Sequence, residues 1–214
     1  MKTKLTAVHV ALASALAVLV GAGGGYLIAE TTSGDAVSVT WQNSCPNLVE
    51  SSGADEAATR LVGSGDSVSS RSSDSSSIAS YTSSCFVYIG KEAALIATAE
   101  LAQGGDVETW EETLSGNKEI GSKNERQYFT VGGEGKGISA PSSAAIYLKC
   151  APSGSKITGT TLSIVVSSTS SEDSTSRRSD VAEVAVSFAK HAQTGAHCSD
   201  PITIPDGAPN LSAS

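Results

Sequence analysis

"AAIYLKCAPSGSKITGTTLSIVVSS", residues 144–168, sets two β-rich runs around a break of Pro, Gly and Ser. "AAIYLKC" and "TTLSIVVSS" have strand length, and the turn residues between them predict an antiparallel, hairpin-like pair. Outward from this pair, "CFVYI" at 85–89 and "QYFTV" at 127–131 read as further strands. "EAALIATAEL", residues 92–101, has helical propensity, but it follows a Gly90-Lys91 turn, and the reading favours a strand. "GGEGKGISAPSS", residues 132–143, reads as a glycine-bearing loop.

Helical signals flank these strands. Val181, Val184, Ala185, Phe188, Ala189 and Ala192 recur at helical spacing and form one apolar stripe. Asp180 with Glu183 makes a capping-box-like start, Lys190 and His191 sit in the last turn, and Gly195 can end the helix. Ala54, Ala57, Ala58 and Leu61 predict a helix around residues 55–61. Residues 106–114 predict another, with Asp106 as its cap. The expected fold class is α+β: a small antiparallel sheet packed by helices, including a C-terminal amphipathic helix.

Residues 64–84 contain 12 serines in 21 positions. So little apolar surface cannot offset ordering entropy, which predicts a mobile loop.

The chain opens with Lys2 and Lys4, then an uncharged run over residues 5–29, with Glu30 the next charge. Such a run reaches roughly 37 Å as a helix, enough to span a bilayer with some tilt. The expectation is a cytoplasmic stub at residues 1–4, a transmembrane or signal-anchor helix at 5–29 and a linker at 30–40. A folded domain at 41–205 and a disordered tail at 206–214 complete the plan. The lysines hold the N-terminus inside, so the C-terminal domain lies outside a cell membrane crossed once. The alternative is a signal peptide cut after Ala22 at the small-x-small site Val20-Gly21-Ala22, giving a secreted protein. His9 falls within the span, where a neutral side chain near its cytoplasmic end suffices.

Cys45, Cys85, Cys150 and Cys198 all fall in the exported part. An even number in an oxidising compartment predicts two disulfides, with three pairings open. Metal use is not expected, because no two cysteines show the close spacing of a zinc site. With Lys2 and Lys4 set aside, 12 Lys and Arg face 22 Asp and Glu. That balance argues against nucleic acid as a partner, since phosphate binding needs a basic face.

Catalytic signals are sparse. Ser-x-x-Lys occurs at Ser115 with Lys118, Ser153 with Lys156 and Ser187 with Lys190, a spacing known from penicillin-binding enzymes. The accompanying motifs are missing, and a chain with 37 serines throws up such pairs by chance. A Ser–His dyad could use only His191 or His197 in the exported part. "GGEGKG" lacks phosphate-loop register. Glu108, Glu111 and Glu112 read as a solvated helix face. No cofactor is expected.

"CPNLVE", a Cys opening "CFVYI", a "VGG" loop, a Cys ending "AIYLKC" and a C-terminal amphipathic helix together outline residues 41–198. This outline resembles a group of actinobacterial cell-envelope proteins of unknown function, many of them lipoproteins. The resemblance implies an antiparallel sheet covered by helices and the pairings Cys45–Cys85 and Cys150–Cys198. This chain departs from the group in having no lipid-bearing Cys and in placing Cys198 after the last helix. The functional expectation is a non-enzymatic, membrane-anchored binding or interaction module of the envelope, with an unknown envelope protein or ligand as partner. The alternatives are a secreted serine hydrolase and a non-binding surface spacer.

Overall fold

The structure, a computed structural model of the chain, describes residues 41, 45–49, 51–65, 67–77, 80–154, 159–169 and 173–213. The expected stub, membrane segment and linker lie outside the described residues. Among those described, no helix is long and apolar enough to cross a membrane.

Eight strands form one antiparallel sheet: β1 (Val68–Ser77), β2 (Ser80–Ile89), β3 (Glu92–Gln103), β4 (Gln127–Thr130), β5 (Lys136–Ala140), β6 (Ser143–Lys149), β7 (Thr160–Ser168) and β8 (Ser212–Ala213). Their spatial order is β1-β2-β3-β7-β6-β5-β4-β8. One meander runs β1 to β3. A second runs β4 to β7, starting next to the edge strand β8 and folding back until β7 pairs with β3. Three α-helices lie wholly within the described residues: α1 (Ser52–Val62) before β1, α2 (Val107–Gly116) between β3 and β4, and α3 (Thr175–Gly195) after β7. The α+β class and the C-terminal helix are therefore as expected.

The two faces of the sheet are built differently. The main core lies on one face, where α3 packs over β3, β5, β6 and β7, and α1 packs on α3. Leu95, Ile146, Leu148, Leu162, Ile164 and Val166 point into it from alternate strand positions, the period-two pattern of a half-buried strand. α3 is buried on more than one stripe: Ala182, Val186 and Ser187 are covered as well. The reason is that it lies between the sheet, α1 and the C-terminal segment, whose Ile202 exchanges backbone hydrogen bonds with the Gln193 side chain. On the other face α2 lays Trp110 and Leu114 onto Ile138, Ala140, Ala145 and Tyr147.

Both disulfides are present. Cys45–Cys85 ties the chain before α1 to β2 across a separation of 40 residues, and Cys150–Cys198 ties the end of β6 to the turn after α3 across 48. Closing loops of this size stabilises by about 4 kcal/mol each in the chain-entropy model.

Four expectations need correction. Residues 64–84 are not a loop: β1 and the first half of β2 fall within them, paired in register from Val68 with Ile89 to Ser77 with Ser80. Residues 132–143 are not all loop either, since β5 pairs with both β4 and β6. Gly137 made β5 hard to see, yet it is what the site needs, because a Cβ there would stand 2.2 Å from the Phe129 ring. α3 begins at Thr175, with the Ser174 hydroxyl accepting from Arg177 N at 3.2 Å. Asp180 is not a cap: it receives Arg60 through Nε at 3.1 Å and Nη2 at 2.7 Å, clamping α1 to α3. Finally, the expected tail is placed at residues 206–213, where Lys190 pairs with Asp206 and β8 pairs with β4.

Candidate ligand-binding face

α2 begins where Asp106 accepts from Thr109 N at 2.9 Å, and this bonding holds the Asp106 carboxyl below its ordinary range. The Trp110 indole donates to Ser163 Oγ at 3.0 Å, and its ring centroid lies 5.7 Å from that of Tyr147. Glu111 accepts from buried Arg126 at 2.8 Å and from the Tyr128 hydroxyl at 2.8 Å. Burial first, and that carboxylate second, raise the Tyr128 phenol above its ordinary pKa. These bonds fix α2 over β4 to β7.

Nothing among the described residues plays that part over β1 to β3. Strand register lays this face out as rows of directly opposed side chains. One row runs Arg71, Phe86, Ile96, Ser167, Ser143. The next runs Ser73, Ser84, Thr98, Val165, Ala145, and the third Ser75, Thr82, Glu100, Ser163, Tyr147. Strands stand about 4.8 Å apart and rows roughly 7 Å. α2 shelters the Ala145 and Tyr147 ends, while Ser73, Thr82, Thr98 and Glu100 are exposed. Phe86, Tyr88 and Ile96 are half-buried and belong to neither hydrophobic cluster. The first row leads into a cleft of ≈ 1100 Å³ beside α2, lined by Ser143, Ser167, Glu108, Glu112 and Arg126 among others.

The face is rigidly mounted. Cys85 points into the core and is bridged to Cys45, so Phe86 is presented outward from an anchored strand. The missed signal was alternation in "SYTSSCFVYI", residues 80–89. Tyr81, Ser83, Cys85 and Val87 point inward, and the residues between them point out. Tyr81 Oη and Ser83 Oγ are buried without a hydrogen-bond partner among the described residues. Burial pushes the Tyr81 phenol up to about 12, with the nearby Ser83 hydroxyl offsetting part of the shift.

The residues singled out for catalysis are dispersed. Ser115 Oγ donates to Glu111 O at 2.7 Å and accepts from Arg126 at 2.9 Å. Lys156 and His9 lie outside the described residues. Ser187 is buried one turn before His191, whose Nε2 stands 3.6 Å from Asp74 Oδ2. His197 is exposed at a φ of 52°, and its carbonyl accepts from Ser153 N at 2.8 Å. "GGEGKG" makes the β4–β5 turn: Gly132 has a φ of 84°, and a Cβ there would stand 2.2 Å from Thr203 O of the crossing C-terminal segment. Glu108 and Glu112 are exposed, whereas Glu111 is committed to Arg126 and Tyr128. No group of three or more His, Cys, Asp or Glu able to hold a metal occurs among the described residues. Compared with family models, with curated proteins and with solved structures, the chain finds no match in any of the three, and the face is read from its own residues alone.

Proposed function

We propose that this chain is an extracytoplasmic binding module of the cell envelope, tethered through residues 5–29, and that its ligand lies on the open part of the sheet. One observation carries this reading: a rigid, disulfide-anchored sheet leaves Phe86, Tyr88 and Ile96 outside both hydrophobic clusters while α2 covers the rest of the same face. Two bridged cysteine pairs accord with an oxidising compartment. A photo-crosslinking residue at position 86 in living cells should give specific adducts, and one at exposed Glu56 on α1 should not. The same pattern at both positions would sink the reading. The intact mass tests the tether: full length is expected, and a chain starting at Gly23 would make the protein a released one.

A second reading, a hydrolase, rests on Asp74 Oδ2 standing 3.6 Å from His191 Nε2, one turn of α3 from Ser187. Fluorophosphonate labelling of Ser187 would reverse the preference. The binding reading expects no label.

A further inference from the structure

We infer that the ligand of this face is a neutral, polyhydroxylated chain, that is, an uncharged glycan; the inference rests on the binding reading above. The chain carries a net charge of −8, yet the open rows hold one cation, Arg71, and one anion, Glu100. Charge complementarity therefore asks for a partner without net charge. An anionic polymer would need a basic surface. A lipid surface would need a wide apolar or basic one. Protein interfaces are depleted of Ser at their centre, and here Ser and Thr dominate.

What the rows offer instead is an array of hydroxyls beside two rings. Ser73 and Ser84 hydroxyls already bond one another across the strands at 3.0 Å, which shows that neighbours within a row stand at hydrogen-bonding range. A sugar ring has C–H groups on its faces and hydroxyls at its rim. Its face can lie on Phe86 or Tyr88, burying apolar area against the negative face of the ring, while its rim meets Ser84 and Thr98. The cleft at the Ser167 end, where four Glu stand among three Lys and Arg and nearly balance, gives a linear chain room to continue past α2.

The test is native electrophoresis of the full-length chain in detergent, through gels holding β-1,4-glucan, α-1,4-glucan, mannan or galactan, with heparin as the charged comparison. At least one neutral polymer should retard the protein. Phe86→Ala should weaken that retardation roughly five- to tenfold, the scale of one lost ring contact. Thr98→Glu, at an exposed position, should weaken it without touching the core. Matching urea midpoints would show that both variants fold. Retardation by heparin alone would overturn the ligand class, as would a self-associated species dispersed by Phe86→Ser. A photo-crosslink from position 86 to residues 30–44 of the same chain would overturn both inference and binding reading. If position 86 captures a partner protein and no neutral polymer retards the chain, the glycan falls and the binding reading stands.

Discussion

β6 and β7 sit at the centre of the sheet and are buried by helices on both faces; β1 and β2 form one flank and are packed on one face alone. Half the residues of the first pair are Ala, Ile, Leu or Val, and half those of the second are Ser, most of them in β1. Both pairs are antiparallel ladders with continuous register. Side-chain burial therefore cannot be what orders β1. Its ladder to β2 does so, and β2 is in turn held by its core-facing Tyr81, Cys85 and Val87. β1 adds polar contacts of its own, such as Ser76 Oγ donating to Gly195 O at 3.1 Å.

The strongest way to break this comparison is to release β2. Cys45→Ser with Cys85→Ser removes a 40-residue closure and should cost about 2–4 kcal/mol, read from urea midpoints. Amide exchange should rise first in β1 and β2. Cys150→Ser with Cys198→Ser opens a loop of similar size but should leave that flank protected. Equal exchange in both double variants would refute a separately anchored hairpin.

Added bulk tests the covered part. Ala145 is fully buried between Ile138 and Val165 beneath α2. Ala145→Val overpacks it and should cost about 1–3 kcal/mol.

Tyr81→Phe should act in the opposite direction. The Tyr81 hydroxyl is buried with only the Ser83 hydroxyl near it and no bond of good geometry, so removing it should stabilise by about 1 kcal/mol. The pH dependence has a definite sign. The folded phenol titrates at about 12 and the unfolded one near 10. Stability is therefore fully present below pH 10 and falls as pH rises through the folded value, by on the order of 2 kcal/mol. Tyr128 and Tyr147 are also raised by burial, so Tyr81→Phe should make this alkaline limb shallower without flattening it.

The sequence made the interior legible and the flank illegible for one physical reason. Burial leaves a pattern in residue type, and pairing does not. The buried residues of α3, the β6–β7 pair and the Asp106 cap were readable because each must place a particular side chain. Residues 92–101 resolved as a strand because neighbours pair with it on both sides, so that Leu95, Ala97 and Ala99 alternate inward. β1 and β5 were hidden because serine and glycine describe a loop equally well. Asp180 reads as a local cap in the sequence because its partner, Arg60, is 120 residues away. The candidate face depends on which part of the sheet α2 covers, and that is a matter of topology. Phe86 and Tyr88 are marked only by falling out of step with Tyr81, Cys85 and Val87 in the alternation of β2.

Ser75→Val is the smallest and most pointed test. Ser75 is exposed in β1, directly opposite Thr82. Valine suits a strand better than serine and meets a cross-strand neighbour, so a gain of a few tenths of a kcal/mol is expected, with an unchanged urea m-value. An open surface tolerates the two added methyl groups, as most exposed positions do. A loss above about 1 kcal/mol would mean that something packs on β1, as α2 packs on Ala145. The two parts of the face would then be alike, and the ligand would have to be sought in the cleft beside α2 instead.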